Sequence, residues 1–237
     1  TNYALRENMS KEEFINEVID GLLEPPKYFP ANVSLNKKGY LGSEEILEKS
    51  INPLSPDEIE EEFKNSTVLD VRNHDDFSKS HIPGSIFIGL DGRFAPWVGE
   101  ILEDITQQLI LVTPEGREEE TVLRLSRVGF DNILGYLEGG IESWVSSGKD
   151  TVHIKNINAN DFLKLNSESD IKVLDVRSKK ENSQSNVENS FNIPLISLKD
   201  EIKEINTNNN LYIYCKGGYR SMIACSILKS NKKHNIH

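Results

Sequence analysis

The residues most capable of chemistry form one short segment, in which Cys215 is followed by Gly217, Gly218 and Arg220. An apolar strand is predicted directly before this segment, and a helix is predicted to begin at Ser221. Glycines permit a backbone whose successive N–H groups point inward, and the N-terminus of a helix adds partial positive charge. Such a loop binds anions and favours the thiolate form of a cysteine. The segment therefore predicts an anion-binding loop with Cys215 as its nucleophile.

The spacing within this loop separates two kinds of cysteine chemistry. After Cys215 the predicted loop consists of Lys216, Gly217, Gly218, Tyr219, Arg220 and Ser221. Four residues separate Cys215 from Arg220, one fewer than in the loop with which a cysteine phosphatase surrounds a phosphoryl group. The smaller loop suits a single sulfur atom or a small anion. We expect the Cys215 thiolate to attack the outer sulfur of a donor, to hold it as a persulfide, and to lose it to an acceptor thiol or sulfite.

Each of these residues also has a simpler interpretation. A free cysteine at a strand end is often buried and inert, and this is the alternative for Cys215. Arg220 either binds the substrate anion or braces the loop. Cys225 falls among apolar residues in the following helix, so we interpret it as a packing residue. We interpret His74 and His81 as surface or loop-bracing residues.

An internal repeat indicates how the chain positions this loop. Residues 68–72 read VLDVR and recur as residues 173–177, an offset of 173 − 68 = 105. A helix-start signal precedes each copy, and a short apolar strand follows it, at 109–112 and 211–214. Short apolar strands that alternate with helices are typical of a parallel sheet covered on both faces. The predicted fold is therefore α/β, with two similar domains that each contain a mostly parallel sheet covered by helices.

The repeat also suggests domain limits. We predict a first domain over residues 52–150 and a second, catalytic domain over residues 151–237. Residues 1–51 are interpreted as the tail of an upstream domain plus a linker. Because the sequence starts without Met and stops inside the second repeat, we expect it to be a piece of a longer protein that lacks the end of the second domain.

Within the repeat, Asp175 and Arg177 follow the strand of the second copy. A carboxylate at a strand end can hold the neighbouring loop, so we predict a supporting role for both residues.

The first domain has a different residue where the second has its nucleophile. Thr113 follows the strand that corresponds to the one before Cys215, and Pro114 removes an N–H group from the loop. Residues 118–120 are all glutamates at the start of the next helix, where their carboxylates satisfy its dipole and repel an incoming anion. The sequence therefore predicts a catalytically silent first domain.

Composition excludes several classes of partner. The formal net charge of −11 argues against nucleic acid and anionic membranes, because binding them requires a basic surface. No apolar run approaches the ~18 residues of a membrane span. Two cysteines in 237 residues do not make a disulfide framework and fit a reducing cytoplasm. No spacing of His and Cys residues indicates a metal site, so we expect no cofactor in this chain.

Four segments together carry a family resemblance. Residues 69–72 (LDVR), 81–85 (HIPGS) and 139–144 (GGIESW), with the loop 215–221 (CKGGYRS), resemble the signature of rhodanese-homology domains. The resemblance covers about three quarters of the chain and implies sulfurtransferase activity at Cys215. Two departures occur in the second domain. Residues 186–189 (NVEN) replace the HIPG turn, and the sequence ends soon after residues 235–236, which match 132–133, so 139–144 has no counterpart.

Two further segments, residues 22–30 and 94–97, resemble proteins in which a metallo-β-lactamase-fold persulfide dioxygenase is fused to a degenerate and an active rhodanese-like domain. That resemblance implies sulfide detoxification, with non-haem iron in the upstream domain. It also implies small thiol persulfides, thiosulfate or sulfite as reaction partners, and it leaves open a homo-oligomer formed through the parent protein.

Two other functions remain open for the chain itself. In one, both domains serve as a binding scaffold and Cys215 senses persulfide without turnover. In the other, the chain is a phosphatase-like or arsenate-reducing cysteine enzyme, which the four-residue spacing disfavours.

Overall fold

A computed structural model describes residues 9–19, 28–39, 42–168, 171–205, 210–233 and 236–237. Residues 22–27 and 235, on which part of the family resemblance depends, lie outside this range. In the described part, no helix combines the length and apolarity that crossing a bilayer requires.

Three helices precede the first sheet: α1 (Lys11–Ile19), α2 (Phe29–Lys38) and α3 (Ser43–Ser50). Helix α1 begins after Ser10, whose hydroxyl oxygen accepts a hydrogen bond from the backbone N–H of Glu13 at 3.2 Å. Ile46 of α3 is buried in the main hydrophobic core. Part of the segment predicted as tail and linker therefore packs on the sheet that follows, and the predicted limit at residue 51 stays a prediction.

The first sheet contains five parallel strands. The elements are β1 (Pro53–Leu54), α4 (Pro56–Glu62), β2 (Thr67–Asp70), α5 (His74–Lys79), β3 (Ile86–Phe87), α6 (Phe94–Ile101), β4 (Leu109–Val112), α7 (Glu118–Ser126), β5 (Ile133–Leu137) and α8 (Gly140–Ser146). The strand order is β1-β5-β4-β2-β3, with all pairs parallel. All four residues of β4 are buried, as expected of a strand covered on both faces.

The second sheet repeats the central part of the first. Its elements are α9 (Ala159–Glu168), β6 (Lys172–Asp175), α10 (Lys179–Gln184), β7 (Phe191–Asn192), a 3₁₀ turn (Leu195–Ser197), α11 (Leu198–Glu201), β8 (Leu211–Tyr214) and α12 (Tyr219–Ser230). The strand order is β7-β6-β8, again parallel. The register repeats as well, because Asp70 pairs with Val112 and Asp175 pairs with Tyr214. The predicted fold, two α/β domains with parallel sheets, is confirmed.

Local sequence signals explain where the helices start. Helix α4 begins with a capping box, in which the Ser55 hydroxyl accepts from the N–H of Glu58 and the Glu58 carboxylate accepts from Ser55. Asn158 caps α9 by accepting from the N–H of Asp161 at 2.9 Å. Ile236 bridges Leu211 in parallel, as Ile133 pairs with Leu109. The predicted correspondence at this position is therefore confirmed.

The two domains share one hydrophobic core. Helix α12 of the second domain packs on β3, an edge strand of the first sheet. There the backbone N–H of Phe87 donates to the hydroxyl of Ser226 at 3.0 Å in a buried position. The helix that follows the Cys215 loop is thus held by the first domain as well as by its own sheet.

Candidate active site

Cys215 lies between the end of β8 and the start of α12 and is half-buried. Its Sγ accepts a hydrogen bond from the backbone N–H of Ser221 at 3.4 Å, and the thiol lies 3.5 Å from the Ser221 hydroxyl. That hydroxyl donates in turn to the carbonyl of Gly218 at 3.0 Å. The sulfur therefore faces the N-terminus of a 12-residue helix, where N–H groups and the helix dipole favour negative charge.

The other cysteine has a different environment. Cys225 is 3 % exposed in the middle of α12. Burial raises the pKa of its thiol to about 12. A thiol that stays protonated at neutral pH is a poor nucleophile, so Cys225 acts as a packing residue.

The loop backbone depends on Gly218 more than on Gly217. Gly218 caps α12 in the left-handed region, at φ +83°, which an L side chain rarely adopts. Gly217 has no positive φ, and a methyl group placed on it would contact nothing within 4 Å. The expectation that both glycines supply unusual backbone angles is wrong for Gly217. The predicted helix start at Ser221 is also wrong, because α12 begins two residues earlier, at Tyr219.

Arg220 braces the loop. Both terminal nitrogens of its guanidinium donate to the carboxylate of Glu181, each at 2.8 Å. This ion pair holds the pKa of Glu181 well below its usual range and raises that of Arg220. Arg220 therefore links the start of α12 to α10. Lys216 is exposed and, like Arg220, is not among the residues that line the cavity at Cys215. The charge of a Cys215 thiolate nevertheless contributes to the raised pKa of Arg220.

Tyr219 was predicted as a member of the anion-binding loop, and its side chain lies elsewhere. Its hydroxyl donates to the carbonyl of Gly89 in the first domain at 2.6 Å. Its ring packs edge-on against Phe87, with the centroids 5.9 Å apart, and burial raises the pKa of the phenol. The side chain of Tyr219 thus joins the two domains.

Asp175 and Arg177 hold the loop that follows β6, the supporting role predicted for them. Arg177 donates to the Asp175 carboxylate from Nε at 2.9 Å and from Nη2 at 2.7 Å. Arg177 also donates to the carbonyl of Ser185 at 2.7 Å. Burial acts to raise the pKa of Asp175, but the hydrogen bonds from Arg177, Asn182 and Tyr214 outweigh it and lower the pKa. These contacts keep the carboxylate ionised and fix the loop after β6.

A cavity of about 400 Å³ opens beside Cys215. Much of its wall is apolar or aromatic and comes from the second domain: Ile157, Phe162, Val173, Val187, Tyr212 and Met222. Asp75 and Lys155 bring one charge of each sign, and His74 adds an imidazole. His74 and Asp75 belong to α5 of the first domain. The site therefore lies between the two domains.

The position of His74 differs from the predicted one. It was interpreted as a surface or loop-bracing residue, whereas its ring lies against the Cys215 loop. A methyl group placed on Gly218 would come within 3.4 Å of the His74 Nε2 atom. No spacing in the sequence could have indicated this, because the contact depends on how α5 of one domain meets α12 of the other. His81, by contrast, is buried, and its Nδ1 lies 2.8 Å from the carbonyl of Phe77.

The corresponding position in the first domain is closed by its own carboxylate. Thr113 follows β4 and donates its hydroxyl to Glu118 at 3.0 Å. The backbone N–H of Gly116 donates to the same carboxylate oxygen at 3.2 Å. Because the Glu118 carboxylate already satisfies this loop, the geometry supports the prediction of a silent first domain.

Across the described residues, no three His, Cys, Asp or Glu side chains are grouped so as to hold a metal ion. The residues present therefore do not fit the non-haem iron that the family resemblance assigns to the upstream domain.

Comparison with protein families identifies the two repeats. Residues 55–147 and 158–237 each match the rhodanese-like domain, and together they make up most of the chain. The chain belongs to the rhodanese-like domain family. The rhodanese resemblance noted in the sequence is thereby confirmed for both domains.

Solved structures show a looser likeness. A thiosulfate sulfurtransferase from Pseudomonas aeruginosa is 17 % identical, with a TM-score of 0.35, over 90 % of this chain and 45 % of that enzyme. A 3-mercaptopyruvate sulfotransferase from Escherichia coli is 15 % identical, with a TM-score of 0.36, over 79 % of this chain and 96 % of that one. A metallo-beta-lactamase from Staphylococcus aureus is 24 % identical, with a TM-score of 0.45, over 58 % of this chain and 37 % of that one. The comparison with curated protein sequences gave no match.

Proposed function

We propose that this rhodanese-like chain is a sulfurtransferase in which Cys215 takes a sulfane sulfur from a donor and passes it to an acceptor. The observation that carries the proposal is the position of Sγ, which faces the N-terminus of α12 and lies 3.4 Å from the backbone N of Ser221. Donors at this place stabilise negative charge on the thiolate and on a persulfide built upon it. Membership of the rhodanese-like family supports the same class of activity.

The proposed cycle consists of two displacements at sulfur. The Cys215 thiolate attacks the outer sulfur of the donor, and the donor's S–S bond breaks as its remaining part leaves with the electron pair. An acceptor thiolate or sulfite then attacks the outer sulfur of the Cys215 persulfide. The Cys215 thiolate is restored, so the cycle needs no external oxidant or reductant.

The surroundings of Cys215 favour a thiol persulfide as the donor. The cavity of about 400 Å³ has room for a small organic group, and its apolar wall suits such a group better than a dianion. Arg220 is paired with Glu181 and Arg177 with Asp175, so the charge of each guanidinium is already balanced by a carboxylate. The same pairing disfavours a phosphatase or an arsenate reductase, in which an arginine must bind the oxyanion. Thiosulfate or sulfite then serves as a linked product or acceptor.

Mass spectrometry of the loop peptide tests this proposal. After incubation with a thiol persulfide, we expect the peptide that carries Cys215 to gain one sulfur atom and to lose it on addition of cyanide or a second thiol. Cys215→Ser should abolish the gain, and Cys225→Ser should leave it unchanged. A Cys215 peptide that gains no sulfur would refute the proposal. A persulfide that forms but is never discharged would favour the sensor function.

We further propose that the chain works beside a persulfide dioxygenase of metallo-β-lactamase fold, in cytoplasmic sulfide detoxification. Residues 22–30 and 94–97 carry the resemblance that supports this proposal. In it, the iron belongs to the upstream domain and supplies the oxygen chemistry, whereas the residues of this chain handle the sulfur that results. The full-length protein should contain bound iron and should consume oxygen when given a thiol persulfide. A full-length protein without either property would contradict this role.

A further inference from the structure

The imidazole of His74 has a position that the cycle proposed above leaves unused. It lies on α5 of the silent first domain and lines the cavity that contains Cys215. Its Nε2 edge faces Gly218, at the turn where the Cys215 loop enters α12. Its Nδ1 atom is buried and makes no hydrogen bond within the described residues.

In the loading step of the proposed cycle, the group that leaves the donor needs a proton. When a thiol persulfide gives up its outer sulfur, the remaining organic part leaves as a thiolate. An alkyl thiolate is more basic than an aryl thiolate, so its departure benefits more from a proton donor. Ser221 contacts Sγ itself, and both nearby arginines are paired with carboxylates. Imidazole is the side chain that donates and accepts protons near neutral pH. His74 is the histidine of the first domain that reaches this cavity.

We propose that His74, supplied by the silent domain, is the acid–base residue of the Cys215 site. The inference rests on the sulfurtransferase function proposed above. In the loading step, the Cys215 thiolate bonds to the outer sulfur of R–S–S–H, and the S–S bond breaks with its electron pair on R–S. The His74 imidazolium gives its proton to that leaving thiolate. The products are R–SH, neutral imidazole and Cys215–S–S–H.

In the discharge step His74 accepts a proton instead of donating one. Neutral His74 takes the proton of an acceptor thiol R′–SH, and the resulting thiolate attacks the outer sulfur of Cys215–S–S–H. The products are R′–S–S–H, the Cys215 thiolate and the His74 imidazolium. Each turnover thus returns His74 to its starting protonation state.

Charged and titratable groups from both domains face His74. On its own helix, Asp75 places a carboxylate oxygen 3.4 Å from Nδ1 and favours the imidazolium. From the second domain, Lys155 lines the same cavity and opposes it, and Cys215 favours it when it is a thiolate. His237 also lines the cavity, and burial lowers its pKa. Tyr212 and Tyr214 also line the cavity. Charged groups of both signs therefore surround the imidazole.

The test uses donors that differ in the basicity of the leaving thiolate. Cys215 loading is followed by rapid mixing for the unaltered protein, for His74→Gln, and for the control His153→Gln, whose histidine is exposed and outside this cavity. With an alkyl thiol persulfide, we expect His74→Gln to load about 10²-fold more slowly, the loss typical of a missing general acid. With an aryl thiol persulfide, whose leaving thiolate is a weak base, the loss should nearly disappear. Imidazole added to His74→Ala should restore loading by the alkyl donor.

The pH profile is the second measurement. With the alkyl donor, loading by the unaltered protein should fall on the alkaline side as the imidazolium is lost, and His74→Gln should lack this fall. A loss in His74→Gln that is equal for alkyl and aryl donors would mean a structural role and would overturn the inference. An unchanged rate with the alkyl donor would also overturn it. If the unaltered protein takes up no sulfur at all, the proposed function itself fails, which is a distinguishable result.

Discussion

The hydrogen bond between the Ser226 hydroxyl and the Phe87 backbone gives a direct test of how the two domains stabilise each other. Ser226 is 1 % exposed on α12 and accepts the buried backbone N–H of Phe87 at 3.0 Å. Phe87 belongs to β3, the edge strand of the first sheet. In Ser226→Ala, this N–H group would remain buried without a partner. An unsatisfied buried donor costs about 1–3 kcal/mol, so we expect the free energy of unfolding to fall by about 2 kcal/mol.

A matched control exists on the same helix. The hydroxyl of Ser230 donates to the carbonyl of Ile227 at 2.9 Å, much as Ser226 donates to Ile223 at 2.8 Å. Among the residues that the structure describes, Ser230 accepts no bond from the first domain. Ser230→Ala should therefore change the free energy of unfolding by less than about 0.5 kcal/mol.

Two assays read the effect of Ser226→Ala. Urea denaturation of both variants gives the difference in unfolding free energy, and hydrogen exchange reports the Phe87 amide directly. We expect the Phe87 amide to exchange faster in Ser226→Ala and at the original rate in Ser230→Ala. Equal unfolding free energies for the two variants, with Phe87 exchange unchanged in both, would refute the assignment of this bond as a stabilising contact between the domains.

Two further predictions concern pH and the silent domain. Burial lowers the pKa of His81 from 6.5 to about 4, so as pH falls between these values the unfolded chain takes up a proton that the folded chain does not. The stability that His81 contributes is therefore complete above pH 6.5 and is lost towards pH 4, by roughly 3 kcal/mol. Denaturation at several pH values should show a shallower decline for His81→Gln, and parallel curves would contradict this. Thr113→Cys combined with Cys215→Ser should give no sulfur transfer, because Glu118 still satisfies the loop of the first domain. Turnover by that double variant, followed as thiocyanate formed from cyanide, would overturn the explanation.

Much of the fold could be predicted because its signals are local. The VLDVR repeat and the two apolar strands, 109–112 and 211–214, predict two similar parallel sheets, and the structure contains them at those residues. The capping box at Ser55 predicts the start of α4. The helix start after the Cys215 loop was predicted two residues too late, because the polar residues at the beginning of α12 resemble loop sequence. Helix caps and the apolar character of a strand depend on residues within a few positions of one another, so a single sequence reports them.

The same distinction between local signals and distant contacts applies to the candidate site. The sequence by itself determined that Cys215 follows a strand and precedes a helix N-terminus, because this depends only on the order of residues along the chain. Only the tertiary structure decided that Arg220 is paired with Glu181, that Tyr219 reaches Gly89, and that His74 borders the cavity. These partners lie 39 and 130 residues apart for Arg220 and Tyr219. The first pair depends on the packing of α12 against α10, and the Tyr219 and His74 contacts depend on its packing against the first domain. No local pattern encodes the geometry of either packing.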